Sequence, residues 1–206
     1  MTQSAGSNQI LRLLFWETTI KCNLTCAHCR RLETDETAAK DLSTQQAKNL
    51  IEQLAELGGK QPLMPVLVFS GGEPLCRDDL FELINHAKSA QIISALATNG
   101  TLIDKAVAEQ IHNSGIARVA VSLDGATAEV HDKLRQLEGS FEKAMQGIEY
   151  LRQKQVPFQI NITLTKHNAG QLNDIYELAK SVGAVAVHIF MLVPVGCGQV
   201  LAETDM

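Results

Sequence analysis

Three cysteines crowd into eight residues, Cys22-Asn23-Leu24-Thr25-Cys26-Ala27-His28-Cys29. Thiolates separated by three and then two residues can wrap a compact metal centre from a single loop. Thiolates are also the usual ligands of iron-sulfur clusters, which ordinarily take four. Only three are local here, so one iron would keep an open position, where a metal centre does chemistry rather than support a fold. The competing reading is structural zinc completed by His28 or Cys76. Zinc takes four protein ligands in a tetrahedron, commonly as two separated pairs. His28 adjoins Cys29 and is strained as a co-ligand, and Cys76 reaches only if the second loop folds over the first. The spacing favours a cluster and leaves zinc open. The other two of the five cysteines, Cys76 and Cys197, read as small buried hydrophobes.

The elements that must position this loop alternate between two kinds. Short apolar runs at Leu11 to Phe15, Val66 to Phe69, Ile92 to Ala97, Ala117 to Leu123, Phe158 to Thr163 and Ala184 to Phe190 predict six buried strands. Amphipathic stretches predict helices at Thr44 to Leu57, Asp78 to Ala90, Asp104 to Asn113, Ser140 to Gln153 and Gly170 to Val182. Ser43 is the expected N-cap of the first helix, Leu50, Ile51, Leu54 and Leu57 its apolar stripe, and Gly58-Gly59 its end. Repeated strand-helix units imply a parallel sheet, as an open doubly wound sheet or a barrel. In both, ligands gather at the C-terminal ends of the strands. The unusual residues lie there: the cysteines after the first strand, Ser70-Gly71-Gly72-Glu73-Pro74 after the second, Thr98-Asn99-Gly100 after the third and Ser122-Leu123-Asp124-Gly125 at the end of the fourth.

The C-x3-C-x2-C loop, with Asn23-Leu24 after its first cysteine and His28 before its last, resembles the signature loop of the radical S-adenosylmethionine superfamily. The Gly71-Gly72-Glu73-Pro74 motif and the third-strand and fourth-strand motifs agree with that family in order and position. The resemblance runs from about Leu11 to Val195 and implies an α/β fold, a partial TIM barrel of (β/α)6 form. It implies a 4Fe-4S cluster on Cys22, Cys26 and Cys29, and S-adenosylmethionine chelating the open iron through its amino and carboxylate groups. Gly71, Gly72 and Glu73 would then bind the methionyl amino group, Glu73 as acceptor; alone, the motif also reads as a tight turn with an exposed Glu. Asn99, Ser122 and Asp124 are candidate cofactor contacts, the last two for ribose hydroxyls, although Asn-Gly and Asp-Gly are ordinary turn pairs. Arg135 matches an arginine placed near the cofactor carboxylate; a solvated helix-end arginine is the alternative. Asn161 and Thr163 could point into the cavity, and His28 could pack on the cluster or adenine. No protein acid or base is required for making the radical, so no catalytic side chain is assigned.

By the same resemblance a flavodoxin or ferredoxin-type protein donates the electron, and the deoxyadenosyl radical abstracts a substrate hydrogen. Phe15-Trp16-Glu17-Thr18-Thr19, Cys29-Arg30 and the Pro194 loop are similar to the branch with alternative haem-pathway enzymes, which alter tetrapyrrole side chains. Peptide-modifying maturases share most of these features. Both groups often carry a cysteine-rich extension with auxiliary clusters. The reading is therefore a polar head at 1–9, a core at 10–195 and a tail at 196–206 that begins such an extension. Cys197 stands where similar proteins often have Arg, which removes a possible anion-binding group.

Bulk properties narrow the partners. The formal net charge is −5 and the Lys and Arg residues are scattered, so no nucleic-acid or anionic-membrane footprint appears. The longest apolar run, Ala184 to Val195, is interrupted by His188 and too short for a bilayer span. With no secretory signal read at the N-terminus and thiols that need reduction, the expected location is the cytoplasm.

Overall fold

The computed structural model describes residues 10–30 and 41–205, so the expected polar head at 1–9 lies outside the described residues. Within them the chain runs β1 (Leu13–Glu17), α1 (Thr44–Gly59), β2 (Val66–Ser70), α2 (Leu80–Ser89), β3 (Ile93–Thr98), α3 (Lys105–Ser114) and β4 (Arg118–Ser122). It continues through α4 (Ala128–Arg135), α5 (Ser140–Gln153), β5 (Phe158–Leu164), α6 (Leu172–Ser181), β6 (Val187–Met191) and α7 (Gly198–Asp205). All six strands pair in parallel, and their order in the sheet is their order in sequence. A doubly wound sheet would reverse its order at a switch point. The sequential order resolves the choice for the partial barrel, with every strand opening its C-terminal end onto one mouth.

The strand register builds the core. Trp16, Phe69, Leu96, Val119 and Phe158 are successive cross-strand partners from β1 to β5, and all are buried. Burying such side chains stabilises the sheet by about 1.5–3 kcal/mol each. Helices cover this row. Ala47, Ile51 and Leu54 of α1 and Leu80, Leu83 and Ile84 of α2 belong to the same cluster. Ser43 caps α1 as expected, in a reciprocal capping box with Gln46. The apolar stripe is rotated from the expected one: Ala47 and Gly58 are buried, and Leu57 is exposed.

Three expectations need correction. The strands were read as uniformly buried, but β6 exposes Ile189, Phe190 and Met191, and β1 exposes Leu13 and Phe15. Both are edge strands of a sheet that does not close, so each lacks a neighbour on one side. The strand β1 begins two residues later than expected. Helices α4 and α7 were not among the expected helices; α4 is eight mostly polar residues, AEVHDKLR, ending at Arg135.

Candidate functional site

The cysteine loop follows β1 at the mouth and is tied down from three sides. Ala27 N–H donates to Leu134 O at 2.9 Å, fastening the loop to the end of α4. Asn99 Nδ2 donates to Asn23 Oδ1 at 2.9 Å, and Asn23 Nδ2 donates to Thr101 Oγ1 at 2.8 Å, fastening it to the turn after β3. Gly198 N–H donates to Cys29 O at 3.4 Å from the start of α7. Cys26 is buried and Cys22 and Cys29 are half-buried, all three without a disulfide. Two of the sulfurs already accept hydrogen bonds: Cys22 Sγ from Leu24 N–H at 3.4 Å and Cys26 Sγ from Arg135 Nη1 at 3.8 Å. Such donors hold thiolate ligands in place. Burial pushes the Cys26 thiol up, and the Arg135 guanidinium offsets part of that rise.

The loop after β2 lies directly on the segment leading into the cysteines. Gly72 N–H donates to Thr19 O and Glu73 N–H to Lys21 O, both at 2.7 Å. A Cβ on Gly71, whose φ is +137°, would meet Thr19 O at 2.6 Å, and one on Gly72 would meet Lys21 O at 2.2 Å. Glycine is thus required there for close approach to the protein's own backbone. Arg77 fixes the same segment from below. It is buried against Trp16, donates from Nη1 to Thr18 O at 2.7 Å, and pairs with Asp79 at 2.6 Å.

Glu73, the expected ammonium acceptor, lies between the loops after β2 and β3. Its side chain is fully buried. Oε1 accepts from Thr98 Oγ1 at 2.8 Å and Leu75 N–H at 3.1 Å, and Oε2 accepts from Asn99 N–H at 2.8 Å. The carboxylate therefore joins the β2 and β3 loops rather than facing the mouth. Burial raises its carboxyl above the usual range, and these three donors pull it back. Glu73→Gln turns one acceptor into a donor facing N–H or O–H groups. Chemical denaturation of the variant should show a stability loss of about 1–3 kcal/mol per orphaned donor. An unchanged midpoint would contradict the brace. Asn99 is likewise committed, since its Oδ1 also accepts from Thr101 N–H and Oγ1.

Asp124 and Arg135 form the third brace. Asp124 is fully buried at the end of β4. Its Oδ1 accepts from Thr163 N–H at 2.8 Å, while Oδ2 lies 2.6 Å from Arg135 Nη2, in an ion pair angled away from hydrogen-bond geometry, and 3.4 Å from His28 Nε2. Burial alone would raise the Asp124 carboxyl; the Arg135 cation overcomes it and holds it below the usual range. His28 therefore faces Asp124 through Nε2. Burial lowers its pKa to about 4, with Asp124 opposing. Asn168 secures the turn, donating from Nδ2 to Asp124 O and Thr163 O, both at 2.8 Å. Sequence reading missed Arg77, His131 and Asn168, because each acts through tertiary contacts that no local motif marks.

His131 Nδ1 accepts from Asp124 N–H at 3.1 Å, and its ring meets Phe141 edge-on. Burial, reinforced by Arg135, depresses its pKa to about 4, while Asp124 and Asp132 oppose and His28 adds to the lowering. The unfolded chain takes up this proton near pH 6.5 and the folded chain only near 4, so stability is full above 6.5 and falls on acidification through that window. Metal-free protein should lose about 2 kcal/mol between pH 7.5 and 5 by this group. The loss should be reduced in His131→Asn, whose amide oxygen can replace Nδ1, as urea titrations at both pH values would show.

Ser122 is half-buried at the end of β4, with Asn161 of β5 as its register partner. Asn161 and Thr163 are also half-buried, so polar groups do remain at the mouth. A cavity of about 520 Å³ adjoins the cysteine loop, lined by Cys26, Cys29, Gln136, Cys197, Val200 and Leu201 among others. That size suits a small-molecule site. Cys197 shares this cavity, and both it and Cys76 are half-buried, where full burial was expected. Among the described residues no three His, Cys, Asp or Glu side chains converge on a single metal ion. Ligands of a polynuclear cluster each meet a different iron, so this bears on a zinc site rather than on a cluster.

Six sequential parallel strands with a braced three-cysteine loop at their C-terminal mouth define a partial-barrel α/β enzyme core. The family model described as Radical SAM superfamily matches residues 16–179, and the chain belongs to that family. The family carries S-adenosylmethionine and an iron-sulfur cluster. The chain is 46% identical over 188 residues to an AdoMet-dependent heme synthase of Methanosarcina barkeri, a match covering 91% of this chain and 52% of that protein. It is 45% identical over 185 residues to an AdoMet-dependent heme synthase of Oleidesulfovibrio alaskensis, covering 90% and 46%. The chain thus spans about half the length of these curated relatives. The solved structure of native anSMEcpe with bound AdoMet superposes with a TM-score of 0.74 at 24% identity, covering 89% of this chain and 52% of that one. It supports the fold. Among the described residues no helix is long and apolar enough to cross a membrane.

Proposed function

We propose that this chain is the core of an enzyme that reductively cleaves S-adenosylmethionine to start a hydrogen abstraction. The observation that carries the reading is the cysteine loop, three thiols on eight residues held at the mouth by Asn23, Ala27 and Cys29 contacts to three different elements. Cys22, Cys26 and Cys29 would hold a 4Fe-4S cluster; the sulfurs fit, being outside any disulfide and buried or half-buried, with Cys22 and Cys26 already receiving N–H donors. When bound, the cluster and S-adenosylmethionine supply a one-electron cleavage that yields methionine and a 5′-deoxyadenosyl radical.

The chain's own residues bind and orient. The backbone of Gly71-Gly72-Glu73, rather than the Glu73 carboxylate, would receive the methionyl ammonium group, and Ser122 with Asn161 would receive ribose hydroxyls. Glu73, Asn99, Asp124 and Arg135 hold the loops that make those contacts. Half-buried thiols beside a cavity allow an external flavodoxin or ferredoxin-type donor to approach, and a reducing cytoplasmic setting keeps the thiols available.

The substrate we infer is a tetrapyrrole precursor of haem, because the relatives at 46% and 45% identity are haem synthases. That kinship favours a porphyrin over a peptide. Anaerobic reconstitution should load about four irons and four sulfides per chain, with an electron paramagnetic resonance signal that changes on adding S-adenosylmethionine. Incubation with a panel of iron porphyrins deuterated on their side chains should then transfer deuterium into 5′-deoxyadenosine. Stoichiometric zinc in a colourless protein would contradict the cluster, and deuterium transfer only from peptides would contradict the substrate.

A further inference from the structure

The guanidinium of Arg135 is not aimed at the mouth. Nη1 reaches Cys26 Sγ at 3.8 Å, a long hydrogen bond to sulfur, and Nη2 reaches Asp124 at 2.6 Å. Both side chains are buried, Arg135 7% and Asp124 0% exposed. The geometry is rigid at each end. Asp124 is fixed by Thr163 N–H, and the residue before Arg135 accepts from Ala27 N–H in the middle of the cysteine loop. A buried cation is thereby held against one thiol, with its counter-charge on the far side.

We propose that Arg135 is a positioning residue that sets the reduction potential of the bound cluster through its N–H contact to Cys26, with Asp124 as the fixed opposing charge. The inference rests on Cys26 being a cluster ligand. Hydrogen bonds to ligand sulfur and nearby positive charge stabilise the reduced, more negative cluster and so raise its potential. A buried carboxylate does the opposite. The low dielectric at this site makes both effects stronger than they would be at the surface. Only one electron moves, from the donor to the cluster, and no bond is made or broken.

The test is a potentiometric titration of the reconstituted chain, with titanium(III) citrate as reductant and the cluster signal followed by electron paramagnetic resonance without S-adenosylmethionine. Arg135→Gln should lower the reduced-to-oxidised ratio at fixed potential by about tenfold, equivalent to about 59 mV for one electron. Asp124→Asn should move it the other way. Loss of a merely structural contact would not give opposite signs, and shifts of the same sign, or none, would overturn the proposal. The unmodified protein offers a second readout that needs no variant. Arginine labelled with 15N only in its guanidinium should replace a 14N hyperfine coupling to the reduced cluster by a 15N one, and its absence would overturn the contact. A chain that loads no cluster would overturn the proposed function along with it, whereas a loaded cluster with an unmoved potential would overturn the tuning alone.

Discussion

Cys26→Ser is expected to abolish cluster loading and to bring cofactor cleavage down by more than about 100-fold, since the loss of even an outer partner of a metal ligand costs about 10–100-fold. Cys26 is the most buried of the three and the one joined to Arg135 and Asp124, so a weaker serine ligand there loses its donor contact as well. The fold should survive, because the loop's anchors are backbone and side-chain contacts of Asn23, Ala27 and Cys29. Iron analysis, visible absorbance and circular dichroism on one sample separate the outcomes. A variant that keeps its full complement of iron would remove Cys26 from the ligand set.

Asp124→Ala should carry the largest effect on stability. It leaves the buried Arg135 cation without a counter-charge and Thr163 N–H without an acceptor. Breaking a buried pair by removing one partner costs about 3–5 kcal/mol. For a chain of this size that lowers Tm by roughly 6–20 °C. The pair as a whole is less essential than either half, because well-packed apolar residues can replace a buried ion pair at little cost. Asp124→Leu combined with Arg135→Met should therefore recover much of the loss. Calorimetry on the single and double variants decides: additive losses would mean that the two residues act independently. The pH dependence has the matching sign. The Asp124 carboxyl is held below its usual range, so its contribution is present above the unfolded pKa near 4 and is lost as pH falls through the folded one.

The six strands were legible because each is a short apolar run between turn residues, and α1 because Ser43 is a local N-cap signal ahead of an amphipathic stretch. The cysteine loop and its placement at the strand ends were legible from spacing and order alone. What lay hidden was the inward turn of the motif carboxylates. Glu73 follows two glycines and looks poised for a ligand, yet the β2–β3 pairing brings Thr98 and Asn99 close enough to take both its oxygens. Helix α4 was invisible for a related reason. Its buried residues are His131, Leu134 and Arg135, and two of the three look like solvent-facing residues until Asp124, some ten positions earlier in the chain, is placed against them. The need for glycine at 71 and 72 could be read locally, but its cause is the backbone of Thr19 and Lys21, about fifty residues away.

The most direct test of the account is the release of 5′-deoxyadenosine. The chain, reconstituted anaerobically and mixed with S-adenosylmethionine and dithionite, should release 5′-deoxyadenosine and methionine in equal amounts, and the Cys26→Ser variant should release neither. A chain with a fully loaded, reducible cluster that releases no 5′-deoxyadenosine would contradict the account.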